Sequence, residues 1–171
     1  MLFREVELPG GIKGRLYLHS MPGRQETLDD AWTEITRLGI SALVCLAPID
    51  EIREKSPQYA EALEQATVPC TVWRCPICDY QGPADDSTFV EAVTRTAYSL
   101  QAGDRVLVHC GAGIGRTGMF AVATLMALAV AEHEARKRVM AAGSNPERSA
   151  QEEALRRVGP RLRRSDPADG T

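Results

Sequence analysis

The sequence predicts an α/β fold: a single domain with a central, mostly parallel, twisted sheet of about four to five strands flanked by helices. Three observations carry this. Short apolar runs alternate with segments of helical spacing, the order that yields parallel strands joined by helices. One of those runs, ALVCLAP at 42–48, is continuously apolar, as in a strand covered on both faces, and 105–109 reads as another buried strand. The 171 residues are 44% hydrophobic and 25% charged, enough to bury one core without staples.

Residues 15–19 read as the first strand. Thr27, with Asp30 three residues on, has the form of a capped helix start, and Gly39 of a stop, so a helix runs to Leu38. Residues 41–46 form the next strand. Ser56-Pro57 puts proline at a first helical position and opens a helix to about Gln65. Residues 71–74 make a short strand. Over 86–101, Phe89, Val90, Val93, Ala97 and Leu100 recur at helical spacing, and Gly103 ends the element. Residues 105–109 are the following buried strand. The helix expected over 116–131 is apolar almost all round and therefore central. Further helices are expected over 132–142 and 147–162. The domain is set at 1–164, and residues 165–171 (SDPADGT) read as a disordered tail.

Composition excludes several roles. A net charge of −3 argues against a general nucleic-acid binder. The arginine excess, seventeen Arg to three Lys, reads as a codon bias. The opening MLFREVELPG carries charges where a secretory apolar region would run. The longest apolar stretch, 119–131, is too short to span a bilayer. Five cysteines without scaffold spacing read as reduced thiols, and the expectation is a cytoplasmic, monomeric protein free of membrane.

The chemistry concentrates in VLVHCGAGIGRTGMF, 106–120. A buried strand delivers His109 and Cys110 to a joint before a helix, where α/β sheets bind ligands. The helix N-terminus offers free N–H groups and the positive end of its dipole. Gly111, Gly113 and Gly115 let successive amides turn inward into a nest for an anion, with Ala112 and Ile114 between them. Arg116 adds a two-pronged, charge-assisted grip on a tetrahedral oxyanion. The same field favours the thiolate of Cys110, which makes it a nucleophile at the floor of a phosphate cradle.

This His-Cys-x5-Arg loop, HCGAGIGRTG, resembles the signature of the protein tyrosine phosphatases, including the dual-specificity group, and the layout is similar to the compact kinase-associated type. The resemblance runs from about Leu16 to Leu155 and is tight only in the loop. It implies a phosphocysteine on Cys110, phosphoryl oxygens held by Arg116, Thr117 donating to the departing thiolate, and His109 fixing the loop from behind. It also implies a general acid. WRCPICDYQGP resembles the family's Pro-x-x-Asp-x-x-x-Pro loop, with Pro76, Asp79 and Pro83 in register. Asp79 would protonate the leaving group and then accept a proton from water; on composition alone it is a turn former. Asp85 and Asp86 fit a helix N-terminus better. SAQEEAL resembles the later glutamine segment, so Gln151 either positions water or is a solvated helix residue. Ala154 departs from that pattern, since an aromatic is common there.

The implied reaction is phosphomonoester hydrolysis on a phosphorylated protein or peptide, phosphotyrosine with possible extension to phosphoserine and phosphothreonine, needing no cofactor or metal. RNA 5′-phosphate removal ranks lower, because 5% aromatics and no Lys near the loop make a poor nucleic-acid channel. Gly111, Ala112 and Ile114 bring no cations for a polyphosphorylated lipid. A phosphopeptide-binding module would lack the thiol or the acid. Arsenate reductases and rhodaneses lack the glycine pair with Arg-Thr-Gly. Cys70, Cys75 and Cys78 lack a fourth zinc ligand and read as incidental thiols, although Cys78 could trap Cys110 in a disulfide. SMPGR, 20–24, resembles the segment near the pocket rim of compact phosphatases, which implies that Arg24 touches substrate. Arg156, Arg157, Arg161, Arg163 and Arg164 read as a solvated helix end.

Overall fold

The structure, a computed structural model, describes residues 1–163; the tail expected at 165–171 lies outside the described residues. The elements are β1 (Arg4–Val6), β2 (Arg15–His19), α1 (Leu28–Leu38), β3 (Ala42–Cys45), α2 (Ile49–Lys55), α3 (Pro57–Glu64), β4 (Thr71–Arg74), α4 (Asp86–Ala102), β5 (Arg105–His109), α5 (Gly115–Ala127), α6 (Glu132–Ala141) and α7 (Ser149–Leu162). The five-stranded sheet has the order β1-β2-β5-β3-β4. β1 pairs antiparallel with β2, and every other neighbour is parallel. The expected mostly parallel α/β sheet is therefore present.

β5 sits in the middle, and Val106 to His109 are wholly buried. Because side chains alternate across a strand, β5 serves two cores. Val106 and Val108 join Phe89, Phe120, Leu125 and Leu155 in the layer with α4, α5, α6 and α7. Leu107 joins Tyr17, Ile35, Leu43, Ile52 and Tyr59 beneath α1, α2 and α3. Each such apolar side chain contributes about 1.5–3 kcal/mol by leaving water. The neighbours β3 and β5 thus feed helices on opposite faces, which opens a crevice at their carboxyl ends.

Local chemistry sets most boundaries. Thr27 Oγ1 caps α1 by accepting from Asp30 N at 3.1 Å. Asp85 caps α4 through Ser87 N and Thr88 N, so it does the helix-terminus work the sequence suggested. Two elements were not foreseen, β1 and α2. The strand expected at 41–46 spans Ala42–Cys45, and two helices, α5 and α7, were expected two or more residues too long. α5 stops at Ala127 instead of 131: Ala129 takes φ 63, and Val130 N and Ala129 N bond back to Leu125 O and Met126 O. That is a left-handed cap closing the helix. Leu128 and Val130 stay apolar because they still pack on the core. α7 begins at Ser149 instead of 147, because Arg148 is extended and the Glu147 N–H is taken by Gln151 Oε1 at 2.8 Å.

Candidate active site

Residues 110–114 join β5 to α5. Cys110 is 2% exposed, and its Sγ accepts from Gly113 N at 3.2 Å. Gly113 takes φ 75, and a Cβ there would run into the His19 carbonyl, so this turn admits only glycine. The loop carbonyls are tied outward. Cys110 O accepts from His109 Nδ1 at 3.0 Å, and Gly111 O from Met21 N at 3.1 Å. Gly113 O accepts from Arg4 Nη2 at 2.6 Å and Ser144 Oγ at 2.7 Å. Ile114 O accepts from Gly118 N at 2.7 Å and Asn145 N at 3.2 Å. In a trans peptide the C=O and the next N–H point opposite ways, and no peptide here is cis. Anchoring these four carbonyls outward turns the amides of Gly111, Ala112, Ile114 and Gly115 inward, at the positive end of α5.

His109 has one tautomer that satisfies both contacts. A carbonyl can only accept, so Nδ1 carries the proton given to Cys110 O, and Nε2 accepts from Tyr59 OH at 2.8 Å. Burial draws its pKa down to about 4, so the ring is neutral at pH 7.

Arg116, 2% exposed, is held rigidly. Nη1 donates to Glu51 Oε2 at 2.7 Å and Ile77 O at 2.9 Å, while Nη2 donates to Glu51 Oε1 at 2.9 Å. Nη2 also lies 3.0 Å from Asp79 Oδ1. Both Nη1 hydrogens are thus spent on protein. The edge facing the pocket keeps Nε–H and the Nη2 hydrogen beside Asp79, a pair suited to two oxygens of one phosphoryl group. Glu51 also accepts from Lys55 Nζ at 2.9 Å. Burial alone would raise the Glu51 pKa, but Arg116 and Lys55 outweigh it and hold the carboxyl at about 2.

These groups open into a cavity of about 250 Å³ whose lining includes Cys110, Arg116, Asp79, Tyr80, Ile114 and Gln151. Asp79 follows β4, with its side chain 40% exposed, and its Oδ2 lies 3.9 Å from Lys55 Nζ. Tyr80, at φ 63, donates its N–H to Asp79 Oδ1 at 3.1 Å and stacks under Arg148 at 4.5 Å. Gly82 lets the loop lie on α7, where a Cβ would sit 2.8 Å from Ala150 O and 3.3 Å from Ala154. The small Ala154 makes room for that approach. Gln151 is buried, so the solvated reading does not hold. Thr117 Oγ1 is buried with no hydrogen-bond partner among the described residues.

The structure therefore brings Cys110, Arg116, Asp79, Gln151 and the glycine-rich loop together, with His109 behind and Arg24 on the lining. Cys78 is exposed and does not line the cavity, which gives a Cys78–Cys110 disulfide no support here. Burial pushes the Cys70 and Cys75 thiols up to about 11, as for inert core sulfurs. In the arginine cluster, Arg157 pairs with Asp86 and Arg161 donates to Ser87 Oγ, so part of it ties α7 to α4. The sequence reading missed Glu51, Lys55, Tyr59, Arg4 and Ser144. Only Glu51 and Lys55 left a local trace, an acid–base pair four apart just after Pro48.

Solved structures of cysteine-based phosphatases share this fold. Kinase associated phosphatase, with its catalytic cysteine replaced by serine, superposes with a TM-score of 0.78 at 18% identity, 94% of each chain being covered. Tk-PTP in its active form gives 0.69 at 22% identity, covering 92% of this chain and 97% of its own. PTPMT1 in complex with PI(5)P gives 0.67 at 15%, covering 86% and 91%. At these identities the likeness concerns the fold. No curated protein matches the chain. Residues 12–166 match the family model described as Swiss Army Knife protein, DSP-PTPase phosphatase domain. The chain belongs to that family, and it is a phosphatase domain of the dual-specificity class within the cysteine-based protein tyrosine phosphatase superfamily.

Proposed function

We propose that this domain hydrolyses phosphotyrosine, and also phosphoserine and phosphothreonine, in protein or peptide substrates through a phosphocysteine on Cys110. The chemistry rests on one juxtaposition: Cys110, Arg116 and Asp79 line a single cavity floored by inward amides. The Cys110 thiolate attacks phosphorus, the bond to the leaving oxygen breaks, and protonated Asp79 gives that oxygen its proton. Arg116 and the loop amides hold the equatorial oxygens as charge builds on them. Water, positioned by Gln151, then attacks the phosphocysteine and gives a proton to Asp79. The thiolate leaves toward Thr117 Oγ1, a buried hydroxyl with its donor unspent. The incoming phosphoryl group takes the Arg116 edge where Asp79 now sits, which frees Asp79 to face the leaving group. These residues supply nucleophile, acid and cation without a metal or cofactor, and the setting proposed is a cytoplasmic monomer.

The preference for an aryl ester rests on the mouth. Tyr80 is 58% exposed and Ile114 38% exposed, and both line the cavity, so a phenyl ring has two apolar surfaces to lie on. A second reading, a multiply phosphorylated small molecule or lipid headgroup, is favoured by Arg24 and Arg148 on the same lining. PTPMT1, a structural relative, binds PI(5)P.

The test is a turnover panel of phosphotyrosyl, phosphoseryl and phosphothreonyl peptides, inositol phosphates and 5′-triphosphorylated RNA, with vanadate as inhibitor. Cys110→Ser should abolish hydrolysis while keeping oxyanion affinity. Asp79→Ala should slow turnover by roughly 10²–10⁴, and least for aryl phosphates whose leaving groups need no proton. Equal slowing on both kinds of ester would remove Asp79 from the acid role. A panel led by inositol phosphates would replace the protein substrate with the second reading.

A further inference from the structure

The cradle must keep its shape while a dianion enters and leaves. Three of its four anchored carbonyls are held by neutral donors: the His109 ring, the Met21 amide, and the Gly118 and Asn145 amides. The Gly113 carbonyl is held by a guanidinium, with the neutral Ser144 hydroxyl beside it. Gly113 is also the residue whose own N–H reaches Cys110 Sγ, and its carbonyl sets the direction of the Ile114 N–H.

That guanidinium is Arg4, on the antiparallel strand β1, opposite Leu18 of β2. Nη2 donates to Gly113 O. Nη1 reaches the turn between α6 and α7, donating to Ala142 O at 3.0 Å, Gly143 O at 2.6 Å and Ser144 Oγ at 3.1 Å. Among the described residues every acceptor is neutral, so no hydrogen bond there cancels the Arg4 charge. Burial lowers its pKa from the ordinary arginine value, and a negative charge on the Cys110 sulfur would act in the opposite sense.

We propose that Arg4 is a positioning residue for the phosphatase reaction. It fixes the Gly113–Ile114 peptide and places an uncancelled positive charge behind the Cys110 thiolate. The proposal rests on Cys110 being the nucleophile. A staple joining β1 to the α6–α7 turn would explain the Nη1 contacts, but not the short Nη2 bond into the loop. The two roles differ in what they do to the sulfur, and that can be measured.

The experiment follows the pH dependence of Cys110 alkylation by iodoacetamide, with kcat/KM and melting temperature, in the wild type, Arg4→Gln and Arg4→Lys. Gln keeps an amide donor without the charge; Lys keeps the charge. In Arg4→Gln the alkylation profile should move to higher pH by about one unit. Its kcat/KM should fall roughly tenfold or more, short of the 10²–10³ for losing an oxyanion donor itself. Arg4→Lys should keep most of the wild-type profile. If both variants melt lower but alkylate on the wild-type profile, Arg4 is a staple and the proposal is overturned. If neither folds, Arg4 is a folding contact and the proposal falls as well. A wild-type Cys110 that is alkylated no faster than an ordinary thiol would instead sink the nucleophile assignment on which the proposal stands.

Discussion

At the scale of single residues, the site is governed by how Arg116 divides itself between two acids. Glu51 faces it with two hydrogen bonds from a side chain 11% exposed, whereas Asp79 makes one contact from a side chain 40% exposed. The more covered acid aims the guanidinium, and the exposed one can leave. Glu51→Gln should upset both arrangements. Breaking one side of a fully buried ion pair typically costs about 3–5 kcal/mol, and the lower end or less is expected here because Glu51 is only partly buried and Gln still accepts one N–H. Arg116 would then turn to Asp79 as its remaining carboxylate, so turnover of alkyl phosphates should fall further than that of activated aryl phosphates. Denaturant unfolding and the two rates check this; an unchanged midpoint would show that Glu51 does not carry Arg116. The pair four apart marks Glu51 only as a helix residue beside Lys55; its grip on Arg116 was not legible in the sequence, for a physical reason. Cys110, His109, Arg116 and the glycines share one loop, where spacing along the chain is spacing in space. Glu51 and Arg4 reach that loop across the sheet, and no local pattern records such a contact.

At the scale of elements, periodicity located long segments and failed at short or packed ones. α4 was legible because five apolar residues repeat at helical spacing over 17 residues with Asp85 and Gly103 at its ends. β1 has three residues, too few to show alternation, and α2 has seven, with no side-chain cap at Pro48. The end of α5 was misjudged because hydrophobicity reports packing, and beyond Ala127 the chain still buries Leu128 and half-buries Val130 against the core after the helix has ended. That cap uses alanine where glycine is usual, with Ala129 at φ 63. A left-handed non-glycine residue costs about 1–2 kcal/mol, partly offset by the larger unfolded-state entropy of glycine, about 0.4–1 kcal/mol. Ala129→Gly should therefore stabilise the fold by about 0.5 kcal/mol and raise the melting temperature without altering turnover. A lower melting temperature would mean that the Ala129 methyl packs well enough to outweigh the strain.

At the scale of the whole molecule, the alternation of strands and helices disclosed the fold class but not the strand order. Placing β5 between β2 and β3 depends on which apolar faces meet, and each of those strands is apolar enough to sit at the centre. The order matters because it buries His109 behind the loop, edge-on to Tyr59 with ring centroids 5.3 Å apart, and makes global stability depend on a neutral imidazole. The His109 pKa is about 4 in the fold against an ordinary 6.5. As pH falls below 6.5 the unfolded chain takes up a proton that the native ring refuses. The stabilisation is thus complete above pH 6.5 and is lost as pH falls from 6.5 to about 4. The difference corresponds to roughly 3 kcal/mol. His19 shifts the same way, because burial outweighs its attraction to Glu26, so it adds to the same window. Glu51 acts lower: its carboxyl sits at about 2 against an ordinary 4.5, so its contribution stands above pH 4.5 and is lost as pH falls toward 2. Acid should therefore weaken the protein in two stages, histidine first and the Arg116 pair second. Denaturant midpoints measured from pH 7.5 to 3 should fall first below pH 6.5, and His109→Asn should flatten much of that first stage while leaving the second. A wild type as stable at pH 5 as at pH 7.5 would show that these imidazoles accept protons inside the fold, and the neutral tautomer tying Tyr59 to the Cys110 carbonyl would have to be abandoned.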